Sequence, residues 1–365
     1  MVADGSAGCV GRREAVMTGR RMRGAAVIVA VLVLAGGCWK PFDFDNDGKA
    51  DPVMQMENGD WRDLTKPLTD PPLFHSVAGD QDASADYDGD GRTDAAVIRG
   101  DQWVTSSSRG TITFAPPAQL PAFAGSQWVH MIPVPADYDG DHKAEPAWYR
   151  DSDATWFIEG RAAVQFGRGP TDITAVAPQP ANDRVDQDMP VPADYDGDSK
   201  ADLATYDPRT HRWDVKGSRD GVLTSVTMGG SNGEPWWPVP ADYDGLGRAQ
   251  RAIFGPLGWR IDGHPDPIAF TDSQTGPSGG GLLYPAAADY DGDGKADLSF
   301  VTGTSWRTRS SRDPSVVTTR TVPTYRSYDG PHAVMFGYAQ YVNVGRLTLI
   351  GKNCDPGSFD YPKNC

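Results

Sequence analysis

Asp43, Asp45, Asp47 and Asp51 occupy positions 1, 3, 5 and 9 of the nine-residue stretch DFDNDGKAD. Alternate spacing in a tightly turned loop lets side chains converge on one point. Converging carboxylates repel strongly at close range unless a cation sits among them. All-oxygen ligation by several carboxylates and a backbone carbonyl is calcium chemistry. Position 7, here Lys49, supplies that carbonyl, which leaves its side chain to point outward and soften the charge.

The stretch recurs five times. Four relatives keep a full acidic set: Asp86, Asp88, Asp90 and Asp94 with Arg92; Asp137, Asp139, Asp141 and Glu145 with Lys143; Asp194, Asp196, Asp198 and Asp202 with Lys200; Asp289, Asp291, Asp293 and Asp297 with Lys295. The loop at 242 keeps Asp242 and Asp244 but has Leu246 and Gln250 in place of two carboxylates, so it is expected to be an empty or weak site. Glycine at position 6 permits the sharp turn, and His142 and Ser199 replace it at some cost in affinity. The expectation is about five Ca²⁺ ions. Their role is structural, because every site buttresses an equivalent unit.

Successive loops begin 43, 51, 57, 48 and 47 residues apart. Those at 137, 194, 242 and 289 follow proline-bearing lead-ins, IPVPAD, MPVPAD, WPVPAD and YPAAAD. Each loop precedes a short apolar run such as DAAVIR or DLSFVT. A tryptophan follows 17 to 19 residues after the first Asp, at Trp61, Trp103, Trp156, Trp213, Trp259 and Trp306. Lead-in strand, acidic loop, apolar strand, Trp strand and a variable fourth strand form a unit the size of a propeller blade. Prolines before the loop and a strand after it argue against an EF-hand pair. The predicted fold is an all-β propeller of four-stranded blades. Six repeats span 41–322. A degenerate seventh at 323–350, around Tyr328-Asp329-Gly330, makes seven blades the favoured count over six.

The run PVPADYDGDxKAD, then an apolar strand, then a Trp strand, resembles the FG-GAP/VCBS-type repeat of integrin-alpha-like β-propellers. The resemblance covers about 41 to 322 and implies one Ca²⁺ in the loop of each competent blade.

Arg20, Arg21 and Arg23 precede the apolar run 25–35, too short to cross a bilayer, and then Gly36, Gly37 and Cys38. Residues 1–37 read as a signal peptide, and VLAGGC resembles a bacterial lipobox with Cys38 as the lipidated residue. The chain is expected to be exported and lipid-anchored at the extracellular face of the cell membrane, or secreted if Cys38 carries no lipid. The mature domain is 38–350, with a tail at 351–365. Cys354 and Cys365 in that tail are expected to pair as a disulfide. The net charge is −15. Residues 1–37 carry five Arg against Asp4 and Glu14, so the remainder carries −18, which five divalent cations would bring to −8. No basic patch or stripe is visible, which argues against nucleic acid as a partner.

No catalytic constellation appears. Six scattered histidines form no HExxH. The string GPSGG at 276–280 lies in a low-complexity stretch without the leading strand that a nucleophile elbow needs. Trp128 and Trp236 fall near lead-ins, where a stacking role toward a sugar is conceivable. The reading is a surface-anchored binding module for an envelope protein or a glycan, not a catalyst. The alternatives are a lectin, or a polysaccharide lyase or hydrolase on a propeller scaffold.

Overall fold

The computed structural model describes residues 42–56, 58–77, 80–115, 131–169, 188–229, 236–255, 257–271, 284–301, 305–322 and 332–333. All regular elements among them are strands, in five four-stranded antiparallel sheets and one three-stranded sheet.

The third repeat shows how sequence makes the unit. The lead-in strand Met131–Pro133 pairs with the apolar strand Ala147–Arg150, which pairs with the Trp strand Thr155–Ile158, which pairs with Val164–Gln165. Residues of the apolar strand are buried on both faces. The Trp strand alternates, with Trp156 and Ile158 inward. That contrast fits a central strand covered on both sides and a neighbour covered on one. Repeats two, four and six follow the same order. In the fifth, Trp237–Pro238, Ala252–Gly255 and Gly258–Ile261 form three strands, and Ile268 bridges to Trp259 where a fourth strand would lie.

Among the described residues the first repeat has no lead-in strand of its own. His332–Ala333, from the far end of the chain, fills that position and pairs with Val53–Gln55. The remainder of the seventh unit expected at 323–350 lies outside the described residues. So do the expected signal peptide and the tail.

Each repeat's tryptophan is at most 2% exposed. The indole N–H groups of Trp103, Trp156 and Trp259 donate to the carbonyls of Phe114, Phe166 and Phe270. The core runs between sheets: Met54 of the first clusters with Val301 and Trp306 of the last, and Trp103 of the second with Trp148 of the third.

Candidate metal centres

In repeats two to six the acidic loop begins shortly after the lead-in strand, and the residue before position 1 bridges to position 9, as in Ala85 with Asp94 and Ala288 with Asp297. This fixes the loop as a closed turn. The position 1 carboxylate then folds the loop around itself. Asp86 accepts from Gly89 N at 2.7 Å and Gly91 N at 2.9 Å, and Asp289 accepts from Gly292 N and Gly294 N. The turn needs left-handed backbone at positions 4 and 6. Glycine supplies both in three of the six loops, whereas Asn46 at position 4 (φ +63°) and His142 and Ser199 at position 6 (φ +68°) adopt it without being glycine.

Five loops bring three or four carboxylate oxygens within 4.8 Å of one another. These are Asp43, Asp45 and Asp51; Asp86, Asp88 and Asp90; Asp137, Asp139, Asp141 and Glu145; Asp194, Asp196 and Asp202; and Asp289, Asp291 and Asp297. Asp47, Asp94, Asp198 and Asp293 are not part of these groups. Asp47, Asp198 and Asp293 accept from the N–H of position 7, and Asp94 accepts from Tyr87 N. Within the acidic loops, Asp43 Oδ1, Asp88 Oδ1 and Asp196 Oδ1 are buried without a hydrogen bond, the last with the Arg219 guanidinium 3.8 Å away. A buried carboxylate oxygen without a donor is costly, and a cation among the carboxylates removes the cost. The all-oxygen donor set fits a hard divalent ion.

Burial raises the proton affinity of these groups. Asp51, Asp94 and Glu145 are pushed up to about 7 and Asp297 to about 6, first by desolvation and then by neighbouring carboxylates, against the backbone donors that favour the charged form. Asp45 goes the other way, because Lys66 donates to it.

The loop at 242 has the same turn and a different interior. Asp242 accepts from Leu246 N and Gly247 N, so the carboxylate that organises the loop is retained. Gln250 Oε1 accepts from Tyr243 N at 2.8 Å, as the position 9 carboxylates do elsewhere. Its Nε2 donates to Asp244 Oδ2 at 2.5 Å, and His264 Nε2 lies 3.1 Å from Asp244 Oδ1. The Gln250 amide thus stands where the other loops have a carboxylate, and His264 takes the place beside position 3 that Lys66, Arg219 and Arg312 hold beside Asp45, Asp196 and Asp291. Among the described residues no cluster of three possible ligands forms there.

The loops are joined to one another. The N–H of position 8 donates to the position 1 carbonyl of the preceding loop: Thr93 to Asp43, Ala144 to Asp86, Ala201 to Asp137, Ala249 to Asp194 and Ala296 to Asp242, at 2.6 to 2.7 Å. Ala50 donates to Asp289 at 2.7 Å, which returns the chain of bonds to its start. The position 7 side chains, expected to point outward, instead lie across the preceding loop. Lys143 packs over Gly89, Lys200 over Gly140, Lys295 over Gly245 and Lys49 over Gly292, and Arg92 donates to the Phe44 carbonyl. A bare α-carbon at position 4 leaves room for them; a Cβ on Gly140 would come within 2.9 Å of the Lys200 chain.

Residues 86–148 match the family model of the FG-GAP-like repeat. This FG-GAP-like span runs from the second loop through the third to Trp148. No curated protein matches the chain. Similar solved structures include an Agrocybe aegerita lectin described as recognising non-reducing terminal N-acetylglucosamine, at 15% identity over 78% of this chain and 79% of that one, with a TM-score of 0.43. Another is virginiamycin B lyase from Staphylococcus aureus, at 12% identity over 69% and 73% of the two chains, with a TM-score of 0.36. Likeness at this level carries no ligand or activity across.

Sequence reasoning missed the tyrosine of the DYD triplet. Tyr138, Tyr195, Tyr243 and Tyr290 each donate a hydroxyl to the carbonyl four residues upstream, and Tyr195 meets Trp213 edge to face. Its recurrence was the available signal. It missed His264, which lies in another part of the repeat. It also missed the serines that reach the loops from the turn after the Trp strand, such as Ser218 and Ser311. Trp236 is a correction: it is 2% exposed, with the Arg260 guanidinium 5.5 Å over its ring, so it packs in the core and has no free face for a sugar. Trp128, Cys38, Cys354 and Cys365 lie outside the described residues.

Proposed function

We propose that this chain is an exported, calcium-stapled β-propeller of six blades that serves as a binding module and performs no chemistry of its own. One observation carries the metal reading. Asp43 Oδ1, Asp88 Oδ1 and Asp196 Oδ1 are buried without a hydrogen bond in acidic loops, while in the loop at 242 the Gln250 amide, in place of a carboxylate, donates to Asp244. Five ions would be held by the carboxylates at positions 1, 3, 5 and 9, with the carbonyls of Lys49, Arg92, Lys143, Lys200 and Lys295 completing the sets. The ions supply positive charge that holds each turn closed; nothing in the arrangement asks them to activate water or substrate.

Six blades, rather than the seven favoured by the sequence, are supported by the six-membered circuit of loop bonds and by the pairing of His332–Ala333 with the first sheet. Completing the first sheet with the last strand ties the ends of the ring together and leaves no open sheet between them.

Export and lipid attachment at Cys38 place the module at the extracellular face of the membrane in this proposal. The partner class is an envelope protein or a glycan. Titration with Ca²⁺, or with Tb³⁺ as a luminescent stand-in, tests the metal reading: five ions bind per chain if it holds, and no saturable binding rejects it. Fractionation tests the anchor: Cys38→Ala is expected to release the chain from membranes, and a variant that stays bound rejects lipidation.

A further inference from the structure

The loops and the turns that follow the Trp strands lie at one end of the sheets. Ser218 N donates to Asp202 at 2.6 Å, Ser311 N to Asp297 at 2.6 Å, and Lys66 reaches Asp45 at 2.8 Å. Large apolar side chains stand exposed at this end in a particular order. Val222 follows the turn of the fourth repeat, Leu246 tips the loop of the fifth, Val316 follows the turn of the sixth, and Leu68 lies in the turn of the first. Those four repeats are consecutive in the circuit of loop bonds. The second and third repeats present Arg109 paired with Glu159 at the same end instead. The apolar tips therefore occupy one continuous side of the ring. Single exposed apolar residues are ordinary; a run of them along one arc is the feature to be explained.

The chain enters this same end. Phe42, the first described residue, donates its N–H to Thr93 Oγ1 beside the first loop. Cys38 is four residues earlier, and four residues span at most about 14 Å. A lipid on Cys38 therefore tethers the ring by its acidic-loop end, between the first and second loops.

We propose that this end faces the bilayer, with Leu68, Val222, Leu246 and Val316 seated at the headgroup–acyl boundary and the opposite end turned toward solvent. The proposal rests on the lipoprotein reading. Each tip contributes a few buried methyl groups, too few to hold the protein without the lipid, and together they fix its orientation. Loading the loops with divalent cations lowers the negative charge brought up to the headgroups. Leu257, exposed in the turn between the apolar and Trp strands of the fifth repeat, marks the opposite end.

The test uses the full chain in its own membranes, with a diazirine-bearing residue at Leu246, Leu68 or Leu257 in turn. Lipid adducts at Leu246 and Leu68 are expected at least fivefold above those at Leu257, with melting temperatures matching the parent. Equal yields from both ends, or adducts to protein in place of lipid at Leu246 and Leu68, overturn the proposal while the anchor stands. A chain missing from the membrane fraction overturns the anchor, and this orientation with it.

Discussion

Loops 194–202 and 242–250 are neighbours in one circuit, with the same closed turn and two solutions to the same electrostatic problem. In the first, Asp194, Asp196 and Asp202 crowd their oxygens together, and Asp196 Oδ1 is buried without a hydrogen-bond donor. In the second, Gln250 keeps the backbone contact of the lost carboxylate and turns its amide N–H toward Asp244, while His264 takes the other oxygen. Both loops pass the backbone bond onward, Ala249 to Asp194 and Ala296 to Asp242. The circuit of loop bonds thus runs through both kinds of loop interior, the all-carboxylate one and the one with Gln250.

The comparison breaks most visibly on metal removal. A ligand that binds only the folded state at one hundred times its Kd contributes about 2.7 kcal/mol. Five such sites make the expected fall in melting temperature with EDTA on the order of 15 °C, reversed by Ca²⁺. An unchanged melt would falsify the structural role.

The double variant Leu246→Asp/Gln250→Asp restores the acidic pattern in the odd loop. It is expected to raise the stoichiometry from five ions to six, and to cost about 1–3 kcal/mol of stability in EDTA through the lost amide contact and added repulsion. If calorimetry still counts five, the difference between the loops is not the one described.

Acid sharpens the comparison in a third way. Asp51, Asp94 and Glu145 titrate near 7 in the folded metal-free chain, above the ordinary carboxylate value. Groups raised on folding stabilise below their unfolded value, and that contribution is lost as pH rises through the folded one. In EDTA the melting temperature is therefore expected to be higher near pH 5 than near pH 8. In Ca²⁺ the order inverts, because protons compete with the ion. The same ranking in both buffers would contradict the reading.

The smallest effect concerns the turns. Ser199→Gly and His142→Gly relieve a left-handed non-glycine residue, and each is expected to gain about 0.5–1 kcal/mol. Urea unfolding midpoints in Ca²⁺ read this out; a loss would mean that these side chains make contacts worth more than the strain.

Much of this was legible before any coordinates. The strand order, the one-per-repeat tryptophans and the five acidic clusters follow from local chemistry that a single repeat carries. The outward direction of the position 7 side chains was misjudged, because the glycine that receives Lys200 belongs to the previous repeat. Trp236 was read as a possible ligand surface, because sequence shows its place near a lead-in but not Arg260 across it.

The sequence by itself determined the unit: turn residues at fixed offsets, a carboxylate set that asks for a cation, and a core residue that recurs. Tertiary structure decided how units meet. Position 8 N–H groups bond to the loop before, His264 satisfies Asp244, and His332–Ala333 completes a sheet begun at Val53. The reason is physical. A repeat's internal pattern is set by neighbours a few residues away, whereas contacts between repeats, and between the two ends of the chain, arise where packing brings together groups whose sequence separation carries no periodic signal.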